Sequence, residues 1–339
     1  MNHTKLLLKL LCGIIQIIEE GAKFAPEPNR YHLYIANACP WAHRTMMARA
    51  IKGLEDVISY TAVHPIWKYT RPDIEGDEHR GWVFANPDDE PFSNTAGLGG
   101  PFPPVFHGNE PDIVNNCGSI RDLYEKAKDT IGKYTVPVLW DKKLQTIVSN
   151  ESSEIIRMFN KEFNEFAKYP GIDLYPDNMK KRIDSLNRWI YPTFNNGVYR
   201  CGLASTQEKY MKSVTQMTAS FDKIEEILKH NRFIAGDTFT EADVRLFPTL
   251  LRFDEVYNVY FKTNSRFVAR SDALLNYCRE IYQMPGIAET CDMEQIKYHY
   301  YCSHVELNRF SIVPIGAGFM DSLSEPHNRA LLEQKNEIE

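Results

Sequence analysis

The stretch Tyr31–Arg49, read Y-H-L-Y-I-A-N-A-C-P-W-A-H-R-T-M-M-A-R, decides how the rest of the chain is read. Tyr31, Leu33 and Ile35 alternate with other residues at the period of a half-buried strand. Asn37 and Ala38 turn the chain, and Cys39 stands directly before Pro40. Proline at the first helical position removes only an N–H that would be unpaired there. A helix is therefore expected over Trp41–Ala50, with Met46, Met47 and Ala50 turned to a core. Cys39 then sits at a helix N-terminus, where free N–H groups and the macrodipole favour a thiolate and lower a thiol pKa from about 8.5 to about 3.5–7.5. A free cysteine is most often a small buried hydrophobe, but the strand–turn–Cys–Pro–helix context argues for a nucleophile. The residue three positions on is Ala42, so the motif is not a dithiol, and a single thiol needs an external thiol to turn over.

The surrounding composition narrows the class. At 339 residues the chain has room for two domains. With 43% apolar and 25% charged residues it reads as a globular protein rather than a disordered or membrane-spanning one. A net charge of -6 gives no basic face for nucleic acid, so no nucleic-acid partner is expected. The seven cysteines (12, 39, 117, 201, 278, 291 and 302) are odd in number, scattered and without metal-ligand spacing. That pattern fits free thiols in a reducing, cytoplasmic compartment and predicts no zinc site. Leu6–Ile18 is apolar but interrupted by Lys9, Cys12, Gly13 and Gln16, and is too short to span a bilayer. Glu19, Glu20 and Lys23 follow it in place of a small-residue cleavage site. Residues 1–30 are thus expected as a helix packed on the body of the protein, with a signal-like core as the alternative and no stable membrane insertion.

Taken in order, residues 31–168 read as an α/β domain. Val57–Val63 forms a second strand, and 64–115 is a long loop rich in Pro, Gly, Asp and Asn. Within it Trp82 in G-W-V-F is either exposed, where its ring suits a ligand surface, or folded onto the core. Ser119–Lys128 reads as a helix and Lys133–Trp140 as a strand interrupted by Pro137. Glu154–Phe163 reads as a helix whose start, Asn150-Glu151-Ser152-Ser153, is accounted for by capping or by ligand binding. From 175 to 330 the pattern is all-helical: Ile183, Leu186, Trp189 and Ile190 share one face, as do Met211, Val214, Met217, Phe221, Ile224 and Leu228. Thr240-Glu241-Ala242-Asp243 has the spacing of a capping box. The tail, 331–339, is charged and frays.

Several of these segments together resemble the glutathionyl-hydroquinone reductases, the Xi class of glutathione transferases. They are A-C-P-W-A-H-R from Ala38, T-V-P-V-L-W-D from Thr135 and N-E-S-S-E-I-I-R from Asn150 in the first half. In the second half they are W-I-Y-P-T-F-N-N-G-V-Y from Trp189, T-E-A-D-V-R-L-F-P-T-L-L-R-F-D from Thr240 and Q-M-P-G-I-A-E-T from Gln283. The resemblance runs from about Tyr31 to about Pro326. It implies a thioredoxin-like domain followed by a glutathione-transferase-type helical domain. Three departures stand out: the apolar Leu6–Ile18 replaces a polar arm, Lys133 stands where the family usually has arginine, and Phe92–Val114 is additional.

The resemblance also implies a site. Glutathione, the co-substrate, would lie against Trp82 with Lys133, Tyr134, Thr135 and the Val136 backbone. Val136-Pro137 would be cis, and Glu151 and Ser152 would hold the γ-glutamyl end. Cys39 would be the nucleophile, Tyr199 the acid/base group at the aromatic substrate, and Tyr257 and Tyr300 hydrogen-bond donors to the thiolate, converging from the helical domain. No metal, nucleotide or flavin is implied, and a homodimer is. The expected reaction removes glutathione from glutathionyl-hydroquinones through a Cys39–glutathione mixed disulfide. The alternatives are a broader Omega-like thioltransferase or dehydroascorbate reductase, and a non-catalytic binding protein. Trp82 and the three tyrosines argue against the first, and retention of Cys39 against the second.

Overall fold

The structure, a computed structural model, describes residues 14–332. They divide into two compact units: the chain up to Ile172 together with Glu294–Val313, and Asp173–Met293 together with the chain from Pro314 on.

Six strands lie in the first unit among the described residues: β1 (Tyr31–Ile35), β2 (Ser59–Ala62), β3 (Lys68–Tyr69), β4 (Arg80–Gly81), β5 (Val138–Asp141) and β6 (Thr146–Ser149). Four of them form a sheet in the order β2-β1-β5-β6, with β1 parallel to β2 and antiparallel to β5, and β5 antiparallel to β6. The order follows from the connections. The parallel pair is joined by a crossover helix, α1 (Pro40–Lys52), and the antiparallel β5–β6 pair by a tight turn. Helices α2 (Ile120–Lys126) and α3 (Ser152–Lys161) complete the thioredoxin-like layer, with α3 packed beside α1. At the end of α1, Gly53 takes the left-handed conformation (φ 63°) and donates to Ala50 and Arg49 carbonyls. A Cβ there would fall 2.5 Å from Lys168 Cβ, so the turn and the close approach both call for glycine.

Strand β1 departs from the half-buried strand expected of it, because all five residues are buried. It lies between β2 and β5, and a central strand covered on both faces has no solvent side. His32 is tolerated there because Ser59 Oγ and Thr61 Oγ1 meet its two ring nitrogens at 2.8 and 3.0 Å. Burial pushes the His32 pKa down to about 4, and burial does the same for His64 in the loop after β2. An unfolded histidine takes up its proton near pH 6.5. Between pH 6.5 and 4 the unfolded chain therefore binds more protons than the folded one, and stability present above pH 6.5 is lost as the pH falls. Each histidine accounts for roughly 2–3 kcal/mol of that loss. In urea unfolding at pH 7 and near pH 4.5, His32→Asn is expected to shrink the difference between the two; an unchanged difference rules out this origin.

The described part of the N-terminal segment is not helical. Ile15 bridges Ser149, Gln16 N–H donates to Val148 O at 2.9 Å, and Asn150 N–H donates to Ile14 O at 3.1 Å. The segment lies along β6, whose outer backbone groups would otherwise form an open sheet edge. The residues before 14, including most of the apolar run, lie outside the described residues. The loop after β2 is also more ordered than its composition suggests, since β3 and β4 pair within it and Phe92 bridges Phe102.

The second unit is helical, and beyond β6 the described residues form no strand, only an isolated bridge between Phe233 and Gly236. Its main helices are α4 (Lys180–Ile190), α5 (Gly197–Gly202), α6 (Gln207–His230), α7 (Glu241–Arg252) and α8 (Asp272–Tyr282). Met217, Phe221, Ile224 and Leu228 of α6 are buried as expected, whereas Met211 is 51% exposed. A helix of 24 residues runs on the order of 36 Å, and its first turns precede the buried stripe. The capping box forms at α7: Thr240 Oγ1 accepts from Ala242 N–H at 3.3 Å, and Asp243 Oδ2 accepts from Thr240 N–H at 2.9 Å. Asp243 Oδ1 also accepts from Ile234 N–H and from the Tyr277 hydroxyl, tying α7 to α8.

One further helix, α9 (Met293–Ser303), belongs almost wholly to the first unit, although the helical pattern had assigned it to the second. Side-chain bonds to the long loop account for this. Gln295 Nε2 donates to His107 O at 2.8 Å, and Asn109 Nδ2 donates to Gln295 Oε1 at 3.0 Å. Ser303 Oγ accepts from Trp67 N–H at 3.1 Å, and Tyr298 packs edge-on to Phe102 and Phe106. Trp67 and the loop segment Phe92–Val114 thus hold α9.

Candidate active site

The strand–turn–helix around Cys39 forms as its residue types require. Cys39 is the N-cap of α1 in extended geometry, Pro40 occupies the first turn, and Cys39 Sγ accepts from Ala42 N–H at 3.5 Å. The thiol in turn contacts the Val136 carbonyl at 3.5 Å, and Val136-Pro137 is cis. Cys39 is 8% exposed. The other described cysteines are set apart by their surroundings: burial pushes Cys117, Cys291 and Cys302 up to about 12 and Cys201 to about 11, and holds Cys278 well above the usual thiol value.

At the start of α3 the capping reading is realised, and a ligand reading survives beside it. Glu151 is the N-cap, its Oε1 accepting from Ser153 N–H at 3.2 Å and from Ser153 Oγ at 3.1 Å. Ser152 is 2% exposed, and its Oγ has no hydrogen-bond partner. A buried hydroxyl without a partner is costly, and at a helix N-terminus it is placed to donate to an anion. Nearby, the Thr135 carbonyl and hydroxyl bond the Tyr124 hydroxyl, and Tyr134 packs edge-on to His79 with the Arg121 guanidinium over its ring. Lys133 is exposed.

Of the two readings of Trp82, burial is the one realised: only 9% of it is accessible. Its ring stacks on His299 with centroids 4.4 Å apart and meets Trp67 edge-on at 5.6 Å. His299 is held by Pro65 O at 3.0 Å and by Ser303 Oγ at 3.1 Å. Trp67 and His299 were not singled out in the sequence, since no local spacing links a loop tryptophan to a histidine on α9. Tyr300, the residue after His299, is 2% exposed and belongs to the first unit rather than to the helical one.

The other two tyrosines come together within the second unit. Their hydroxyls are 3.5 Å apart, Tyr257 is fully buried, and its ring stacks on Phe261. Each is associated with a π-helical turn, Tyr191–Asn195 just before Tyr199 and Phe253–Tyr257 ending on Tyr257. Such turns are rare and recur at functional sites, where the extra residue per turn redirects side chains.

The chain matches the family profiles described as Glutathione S-transferase, N-terminal domain, over residues 38–162 and Glutathione S-transferase, C-terminal domain, over residues 207–280. It is 42% identical over 307 residues to the glutathionyl-hydroquinone reductase YqjG of Escherichia coli, covering 90% of this chain and 84% of that protein. The chain belongs to the Xi-class glutathione transferases, the glutathionyl-hydroquinone reductases. Other members agree. The glutathione-bound structure of YqjG matches with a TM-score of 0.81 over 94% of this chain and 96% of that one. Glutathione transferase Xi 1 of Trametes versicolor matches with a TM-score of 0.79 and 41% identity, over 90% and 97% of the two chains. The glutathionyl-hydroquinone reductase PcpF of Sphingobium chlorophenolicum is 39% identical, over 87% of this chain and 85% of its own. Among the described residues of this Xi-class chain no group of three or more His, Cys, Asp or Glu side chains is placed to hold a metal, and no helix is long and apolar enough to cross a membrane.

Proposed function

We propose that this protein is a glutathione-dependent reductase that removes glutathione from aromatic glutathionyl-hydroquinones. The observation that carries the reading is Cys39: a single thiol at a helix N-cap, facing the Val136 carbonyl, with Ala42 where a dithiol would have its second cysteine. In the first step the Cys39 thiolate attacks the glutathionyl sulfur. A sulfur–sulfur bond forms, the carbon–sulfur bond breaks, and its electron pair goes to the ring carbon. That carbon takes a proton, a role assigned to Tyr199, and leaves as the hydroquinone. In the second step the thiolate of free glutathione attacks the mixed disulfide, giving oxidised glutathione and regenerating the Cys39 thiolate. Tyr257 and Tyr300 are assigned to hydrogen bonding that favours the thiolate.

Glutathione is assigned to Trp82, Tyr134, Thr135, the Val136 backbone, Glu151 and Ser152, with Lys133 as a point charge for an anionic end. The partnerless, buried Ser152 hydroxyl at the start of α3 supports that assignment. Glu151→Ala removes both a helix cap and a partner for the γ-glutamyl ammonium. Loss of the cap costs about 1 kcal/mol of stability. Loss of the charge-assisted bond, worth roughly 1.5–3 kcal/mol, raises the half-saturating glutathione concentration about 10- to 100-fold. A stability loss with an unchanged concentration dependence would leave Glu151 as a cap and nothing more.

The reading extends to a homodimer in the cytoplasm. Closed two-fold dimers are common among soluble enzymes, and the described cysteines are all free thiols, which suits a reducing compartment. Sedimentation of the purified chain tests the dimer. The reaction is tested with a model glutathionyl-hydroquinone, quantifying the aromatic product and oxidised glutathione together. Equal yields of the two are expected, and consumption of substrate without oxidised glutathione contradicts the scheme.

A further inference from the structure

Beside Tyr199 in the second unit lies a solvent-open depression of about 430 Å³, lined between α5 and the first turns of α6. Three of its lining residues are cationic, Arg200, Lys209 and Lys212, and none is acidic. Arg200 bonds the neutral Gln216 side chain at 2.8 Å, and Lys209 bonds the Ser205 hydroxyl at 3.1 Å. None of the three cations lies within 4.0 Å of a carboxylate among the described residues, although Glu208 stands one turn before Lys212 on α6. The nearest acid in sequence, Glu208, is not part of the lining. Lys209 and Lys212 stand in the first two turns of the 24-residue helix α6, which Thr206 caps. The remaining wall of the depression is apolar, formed by the Tyr199 ring, Ala204 and Leu203, the last 63% exposed.

An aromatic ring with an attached anion matches this combination: the ring lies on Leu203 and Tyr199, and the anion meets the ammonium groups. We propose that the depression is a specificity site for a carboxylate carried by the aromatic ring of the substrate, so that acidic hydroquinones are preferred over neutral ones. The proposal rests on the reductase reading given above and on the assignment of Tyr199 to the aromatic substrate. The cations are exposed, so the preference is modest and sensitive to salt.

The test compares two substrates, the glutathione conjugate of 2,5-dihydroxybenzoate and that of its methyl ester. The unmodified protein is expected to favour the acid about 10-fold in kcat/KM, with the ratio falling as salt is raised. The double variant Lys209→Glu, Lys212→Glu is expected to bring the ratio to one or below. Lys229→Glu, a single charge reversal at the far end of α6, is expected to leave it in place. A ratio near one in the unmodified protein, or a ratio untouched by the double variant, overturns the proposal. If neither conjugate turns over, the reductase reading fails. The depression is then judged by calorimetry with 2,5-dihydroxybenzoate and its methyl ester. Binding of the acid to the unmodified protein but not to the double variant upholds an aromatic-acid site; equal or absent binding of acid and ester overturns it.

Discussion

Replacing Cys39 by alanine abolishes reductase turnover, and replacing it by serine leaves only traces. The thiol is both the attacking atom and the atom that holds glutathione between the two steps, so no other group on the chain replaces it. Serine keeps the N-cap, because its oxygen also accepts from the first-turn N–H groups. The Ser variant should therefore unfold at the same denaturant concentration as the parent, which separates lost chemistry from lost structure. Alkylation at about pH 6 supplies an independent check. Helix N-terminal thiols are ionised well below ordinary ones, whereas burial pushes Cys201 to about 11, Cys117, Cys291 and Cys302 to about 12, and Cys278 well above the usual thiol value. Cys39 should be labelled first, despite being only 8% exposed. Preferential labelling of another cysteine contradicts the assignment.

Tyr199→Phe is expected to slow formation of the aromatic product by about 10²–10⁴-fold, the range in which a positioned general acid contributes. The ring carbon that loses sulfur carries the electron pair until it is protonated, and a phenol is a competent donor at neutral pH. The substitution removes the hydroxyl that stands 3.5 Å from Tyr257 while keeping the ring against Phe261. Glutathione binding should be unchanged, so single-turnover product formation and glutathione titration move apart. Tyr257→Phe, by contrast, leaves the Tyr199 phenol present and should change the pH dependence of the first step more than its maximum rate. Equal loss in both variants with unchanged pH dependence would mean that the pair only packs the second unit.

The fold was legible in sequence where local chemistry is decisive. A strand period, a turn and Cys-Pro marked β1 and α1, and Thr240 with Asp243 marked the start of α7, because caps and prolines act within one turn. Between exposure and burial of Trp82 the sequence alone could not decide, because the burial comes from Trp67 and from His299, a residue on the far side of the helical region in sequence. Tyr300 was assigned to the wrong unit for a related reason. The all-helical span 175–330 took in α9, but its attachment depends on Gln295, Ser303 and the loop residues they bond, which carry no periodic signal. The apolar start of the chain suggested a helix, yet Ile15 and Gln16 pair with the edge of β6, an unsatisfied edge that no reading of residues 14–18 alone reveals. At Glu151 the two sequence readings were never exclusive: the side chain caps α3, and the next residue keeps its hydroxyl unpaired.

The central claim is that Cys39 carries glutathione away from the substrate rather than activating it for addition. A conjugating enzyme holds the glutathione thiolate beside a hydroxyl and forms no covalent bond to it, whereas a cysteine in that position takes the glutathionyl sulfur from the substrate as a mixed disulfide while the ring carbon leaves with the electron pair. The direct measurement is the intact mass of the protein after one equivalent of glutathionyl-hydroquinone, with peptide mapping of the modified residue. One glutathione on Cys39, released by a second equivalent of glutathione, is the predicted result, together with negligible conjugation of chlorodinitrobenzene. Robust conjugation with no adduct at any time point would contradict it.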